Sequence, residues 1–320
     1  ARLFLAPVAS RMFNRRRRGP QCLCRYSRAP EHAGSWYSAD AARLGHTLTS
    51  FLEAASDERP PNGAKVCGVI APHAGFSYSG PTAAFAYQYL RVQGGEKRRI
   101  FILGPSHHVY LAGAALSGAR SCQTPVGDLP VDQEVLEELL ATGEFEVMTQ
   151  HVDEAEHSLE MHMPFVRLCL AENSDVTVVP IMIGATEPQA EEKYGRILAP
   201  YLEDEANFFV VSSDFCHWGS RFRYQPYDSS SGLQRYEFIE AMDRRGMQLI
   251  EQKDTQAYYD YLEETGNTIC GRHPIGVLLQ MLHIAEAEFD IEFVKYAQSS
   301  PVMKPGDSSV SYASALLTRR

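Results

Sequence analysis

Six short apolar runs, at 65–71, 99–104, 176–183, 207–213, 291–297 and 310–317, constrain this chain more than any other feature. Most are apolar at consecutive positions rather than at alternate ones, the pattern of strands covered on both faces. Amphipathic stretches lie between them, near 40–55, 81–92, 130–142, 156–171, 188–203, 230–252, 255–264 and 274–286. Asp or Ser opens several of these and Pro or Gly closes several, as helix boundaries favour. The alternation predicts one α/β domain with a central, mostly parallel sheet flanked by helices. No internal repeat interrupts it.

The length of 320 residues, 44% of them hydrophobic, allows one large core. The longest uninterrupted apolar stretches, such as Phe208-Phe209-Val210-Val211, are far too short to span a membrane. The net charge of −10 hides a split: residues 1–30 hold eight arginines and no acid, and the remainder holds 22 basic against 40 acidic residues. That acidic body argues against nucleic acid as a partner, which requires clustered Lys and Arg. Residues 1–28 form a basic arm outside the fold, and the domain is expected over 29–320. Two readings of the arm stand side by side, an organelle transit peptide and a solvated tail.

The seven cysteines form neither a CxxC pair nor a dense disulfide framework, so a reducing compartment, cytoplasmic or nuclear, is expected. Cys67, Cys122 and Cys169 read as small buried hydrophobes. Phosphate-loop, GxGxxG and nucleophile-elbow patterns are all missing, and with them the usual routes to a nucleotide cofactor or a serine hydrolase.

Open α/β sheets bind ligands beyond the carboxyl ends of their strands. His73 follows the run at 65–71 in Ala71-Pro72-His73-Ala74-Gly75, and His107 follows the run at 99–104 in Gly104-Pro105-Ser106-His107. If those two strands pair, as sequential strands commonly do, the imidazoles converge. Cys270 precedes a predicted helix, whose N-terminal dipole, with Arg272 and His273, favours a thiolate. Two imidazoles and a thiolate suit zinc, iron or copper(I) better than magnesium or calcium. The plainer alternatives are structural histidines and an inert buried thiol.

His217 also follows a strand, with Asp214 three residues before it as an orienter for acid–base work or as a brace for the loop backbone. His157 and His162, five residues apart, diverge by about 140° on a helix and make no zincin motif. Glu156, His157 and Glu160 read as a solvated helix start, with a supporting shell around a metal as the alternative. Trp36 reads as core or as a cleft wall that stacks on a ligand.

Taken together, HAGSWY at 32–37, APHAG at 71–75, FILGPSHHV at 101–109, EHSLEMHMPF at 156–165, FVVSSDFCHWG at 209–219, TICGRHPIG at 268–276 and YAQSS at 296–300 resemble the Memo family, over about residues 30–320. The resemblance implies a fold like that of class III extradiol dioxygenases, which hold iron with two His and one Glu. It implies His73, His107 and Cys270 as metal ligands, His217 at the position of the dioxygenase catalytic histidine, and Trp36 and Tyr78 in the cleft. It also implies copper or iron binding, redox regulation, and a signalling role in cell motility in which the cleft takes a phosphotyrosine peptide, with Arg272 facing the phosphate. A thiolate at the Glu position keeps the negative charge but is softer and oxidisable, which disfavours ordinary ring cleavage.

Overall fold

Burial separates the central strands from the rest: Ile100, Phe101, Ile102 and Leu103 are wholly enclosed in sequence, as are Val178 and Val179, so both faces of these strands are covered. The computed structural model describes residues 26–55, 65–90, 98–171 and 175–320. In chain order the first elements are β1 (Tyr26–Arg28), α1 (Ala41–Ala54), β2 (Lys65–Ala71), α2 (Phe76–Tyr87), β3 (Arg98–Pro105), β4 (Ala114–Leu116), β5 (Ala119–Cys122) and β6 (Leu129–Pro130). There follow α3 (Gln133–Ala141), β7 (Phe145–Val147), α4 (Gln150–Ala155), α5 (His157–Glu160), α6 (Met163–Cys169), β8 (Val176–Ile183) and α7 (Pro188–Glu203). The last are β9 (Asn207–Ser212), β10 (His217–Trp218), α8 (Arg235–Glu251), α9 (Thr255–Thr265), α10 (Arg272–Ile284), β11 (Phe289–Gln298) and β12 (Ser309–Arg319).

The main sheet runs β10-β12-β2-β9-β3-β8-β4-β7, with β11 also paired to β12. Its centre is parallel, β2 with β9, β9 with β3 and β3 with β8, while β12 joins β2 antiparallel. Helices α7 and α10 pack on each other and on β9, and α2 packs on β2, β11 and β12. The expected α/β domain with a parallel centre is the observed one. All six apolar runs became strands.

Differences fall where local pattern is weak. The helix expected from 81 starts at Phe76 and carries Pro81 inside it. The stretch 156–171 is not one helix but α5 and α6, separated at Met161-His162 and restarted with Pro164 in its first turn. Residues 26–28, assigned to the arm, belong to the fold: they pair with β5, and Arg28 is fully buried. The rest of the arm lies outside the described residues. No helix among the described residues is long and apolar enough to cross a membrane. Cys122 is buried as expected, whereas Cys67 and Cys169 are only partly so, and the described cysteines are all free thiols.

Candidate metal centre

The carboxyl ends of β2, β9 and β3 lie side by side, and β9 separates the two strands whose loops carry the histidines. His73 and His107 therefore do not ride on paired neighbours. They converge across Ser212, the last residue of β9, because parallel strands in register present their following loops on one edge. Ligand atoms of His73, His107 and Cys270 all lie within 4.8 Å of one another, with Cys270 Sγ 3.2 Å from His73 Nε2. His73 is buried and His107 exposed, so the cluster has one open side.

Both imidazoles are held by their far nitrogens. His73 Nδ1 lies 2.6 Å from Ser212 Oγ, and that hydroxyl donates its own proton to the Ser158 carbonyl at 2.7 Å. Ser212 can then only accept from the ring, which fixes the proton on Nδ1 and leaves Nε2 as a lone-pair donor facing Cys270. His107 Nδ1 lies 2.8 Å from Glu156 Oε1, while the His107 backbone N–H donates to Glu156 Oε2 at 2.7 Å. Burial works against ionising Glu156, but the hydrogen bond from His107 and the neighbouring rings of His107 and His157 bring it down to about 2. It is a buried carboxylate that orients a ligand, not part of a solvated helix start, and Glu160 is buried as well.

Cys270 reaches the cluster because the chain passes very close to β9. A Cβ on Gly271 would sit 2.3 Å from Ser213 Cβ and 2.4 Å from the Ser212 carbonyl, so only glycine fits beside the thiol. At the end of β3, a Cβ on Gly104 would lie 2.5 Å from Ser158 Oγ. The expected low thiol pKa is overturned: burial, then the nearby Asp214 carboxylate, push Cys270 well above the ordinary value, and the Asp214 and Gly271 backbone bonds offset only part of this. The helix end is outweighed, and a bound cation is what would favour the thiolate. Burial, and then the charge of His107, hold His73 well below the usual imidazole range, so it is a neutral lone-pair donor.

Asp214 does not orient His217. Its Oδ1 accepts the His73 backbone N–H at 2.8 Å, and its own N–H donates to Cys270 Sγ at 3.2 Å, which braces the loop that presents both ligands. Burial raises its pKa to about 7 against the backbone bonds from His73 and Ala74. His217 is held instead by Thr268, with Nδ1 3.0 Å from the Thr268 carbonyl and the backbone N–H on Thr268 Oγ1 at 2.8 Å. Burial, partly offset by bonds to the Thr268 and Phe215 backbones, lowers its pKa.

Trp36 is partly exposed, with its ring 4.5 Å from that of His157, and His157 stacks on His107 at 4.2 Å. Tyr78, in the first turn of α2, is largely exposed. Arg272 lines a separate cavity with Glu191, Tyr259 and Asn267 that none of the three candidate ligands lines. Sequence reasoning missed Ser212 altogether and ranked Glu156 as solvated. It also missed Glu160 as the hub that fixes the Trp36 segment, since Glu160 takes the His32 backbone N–H, the Tyr37 hydroxyl and Arg28. The only sequence signal was the density of acid, His and Ser within 156–162.

A pair of oriented imidazoles beyond two strand ends and a thiol on the loop before α10 fits a soft or borderline metal ion, with the open side at His107 left for a further ligand. A family model described as "Memo-like protein" matches residues 28–316. The chain is 47% identical to Protein MEMO1 of Xenopus laevis over 91% of its length and 97% of the relative's. It is 45% identical to Protein MEMO1 of Homo sapiens over the same shares, and 43% identical to the Protein memo-1 homolog of Caenorhabditis elegans over 91% of this chain and 83% of that one. A solved structure of an uncharacterised Escherichia coli protein, 14% identical with a TM-score of 0.40 over 69% of this chain and 86% of that one, is too distant to add to this. With the match running from the buried Arg28 through the cluster to the last strand, the chain belongs to the Memo family.

Proposed function

We propose that this protein binds a redox metal, copper(I) or iron(II), at His73, His107 and Cys270, and serves redox regulation and signalling by controlling where that metal is held. The observation that carries this reading is the engagement of both Nδ1 atoms by Ser212 and Glu156, which leaves both Nε2 atoms as the ring positions for a metal, that of His73 3.2 Å from the Cys270 sulfur. Bound metal would supply a redox-active, Lewis-acidic centre. The chain's own residues fix the imidazole tautomers, hold the Cys270 sulfur through Asp214 N–H, and leave His217 available for proton handling near the open side. Where the resembled dioxygenases carry Glu, the sulfur of Cys270 is itself oxidisable, so holding a metal ranks above ring cleavage.

Anaerobic titration with Cu(I) and with Fe(II), followed by metal analysis, tests the reading. Wild type is expected to bind in a 1:1 ratio at this cluster, and His73→Ala, His107→Ala and Cys270→Ala to lose that site. Unchanged affinity in all three variants sinks it. Oxygen uptake with verified iron occupancy and a catechol panel measures whether ring cleavage accompanies binding.

A second reading is favoured by the partly exposed Trp36, whose ring lies against His157, and by the largely exposed Tyr78 of α2. In it the same cleft takes a phosphotyrosine peptide of a signalling partner, with an aromatic wall for the ring. Calorimetry with phosphorylated and plain forms of one peptide decides it, and equal or absent heats remove it.

A further inference from the structure

Across the loop that carries Cys270 lies a cavity of about 440 Å³ between the start of α7, the end of α9 and the start of α10. This is within the size range of small-molecule sites, and its walls combine apolar surface from Leu262, Pro188 and Tyr259 with a few convergent polar groups. Glu191 is the anchor. It is 2% exposed and accepts from Tyr259 Oη at 2.5 Å, His273 Nδ1 at 2.8 Å and Thr186 Oγ1 at 3.0 Å. The helix makes room for it at Gly276, where a Cβ would sit 1.9 Å from Glu191 Oε2.

Three donors satisfy that carboxylate, so its main effect is on His273. With Nδ1–H given to Glu191, the ring's other nitrogen, Nε2, has no partner among the described residues, and the residue lines the cavity. Beside it Arg272 lines the same cavity; its guanidinium donates to the Ile269 carbonyl at 3.4 Å and pairs with no described carboxylate. Both residues stand in the first turn of α10, a helix of 13 residues whose N-terminal end favours negative charge.

The independent observation is Asn267. It is 3% exposed and lines the cavity, and its two amide protons go to Asp243 and Tyr261, so its Oδ1 is left as a buried acceptor without a partner. Buried acceptors of this kind call for a donor. The ligand that answers both halves carries a carboxylate for Arg272 and a hydroxyl or amino donor for His273 Nε2 and Asn267.

We propose that this cavity is a second ligand site, separate from the metal cluster, for a small hydroxy or amino acid. The carboxylate lies against Arg272, the hydroxyl or amino donor meets the lone pairs of His273 Nε2 and Asn267 Oδ1, and the carbon body rests on Leu262 and Tyr259. Glu191 is a positioning residue that holds the His273 ring.

Isothermal titration of the full chain with L-malate, succinate and inorganic phosphate tests this. Malate is expected to bind saturably and several-fold tighter than succinate, which lacks the hydroxyl. Arg272→Gln and His273→Gln, both at residues with solvent access, are each expected to weaken malate roughly tenfold or more, with circular dichroism verifying the fold. Cys270→Ala, which removes a metal ligand, is expected to leave malate binding unchanged, so failure of the metal reading and failure of this one are distinguishable. Absence of saturable malate binding, equal affinity for malate and succinate, tighter binding of phosphate than of malate, or unchanged affinity in both α10 variants overturns it.

Discussion

His73 Nδ1 lies 2.6 Å from Ser212 Oγ, and because that hydroxyl donates onward to the Ser158 carbonyl, the pair fixes the tautomer of a candidate metal ligand from the centre of the sheet. A serine without charge thus does for His73 what the buried Glu156 does for His107. The expected outcome for Ser212→Ala is a folded protein with metal affinity about 10- to 100-fold weaker, as for other groups that orient ligating imidazoles. Competition with a chromophoric chelator measures it. Affinity within a factor of two of wild type would assign Ser212 to packing alone.

Glu156 makes folding stability depend on acid. Its folded-state pKa of about 2 lies below the ordinary value of 4.5, so its contribution is fully present above about 4.5 and disappears as pH falls towards 2. The shift corresponds to roughly 3 kcal/mol at neutral pH. Denaturant unfolding of the metal-free protein across that window is expected to show wild type losing stability faster than Glu156→Gln. Parallel curves would show that the carboxylate's charge is not what the fold uses.

Arg28 is wholly buried between Asp153, at 3.1 Å, and Glu160, at 2.9 Å. Its removal strands two carboxylates in the interior, so Arg28→Met is expected to cost about 3–5 kcal/mol. Glu160 also holds the His32 backbone and the Tyr37 hydroxyl, so the Trp36 segment should loosen with it. Thermal unfolding and Trp36 fluorescence measure the two effects. A loss under about 1 kcal/mol would show that the ion cluster is relieved by water or rearrangement.

Gly271→Ala tests the close passage that delivers Cys270. The added methyl meets β9 backbone and Ser213 side chain rather than a flexible tip, so the loop must move away. Stability is expected to fall by about 1–3 kcal/mol. Metal affinity is expected to fall further than stability alone explains, because the sulfur moves with the loop. Retained affinity in a destabilised protein would detach Cys270 placement from this contact.

The six strands, the α/β class, the three candidate ligands and their family were legible in the sequence, because a doubly buried strand leaves a continuous apolar run and a strand-end loop leaves a recognisable motif. The arm boundary was not, since Tyr26–Arg28 is too short a strand to show a period and only its pairing with β5 and the carboxylates of Asp153 and Glu160 make it part of the domain. Between the two readings of Asp214, orienter of His217 and brace for the loop backbone, the sequence did not choose, because proximity along the chain says nothing of which way a carboxylate turns; it turned to the His73 backbone.

What the sequence determined by itself is which residues stand at strand ends and what chemistry their side chains offer. Tertiary structure alone decided that β9 comes between β2 and β3, and so that Ser212 rather than a neighbouring histidine strand holds His73. It also decided that Cys270 is a high-pKa thiol beside two oriented imidazoles and that Arg272 faces another cavity. The physical reason is common to all of these. Strand order, burial and hydrogen-bond direction depend on contacts between residues far apart in the chain, and no local periodicity encodes them.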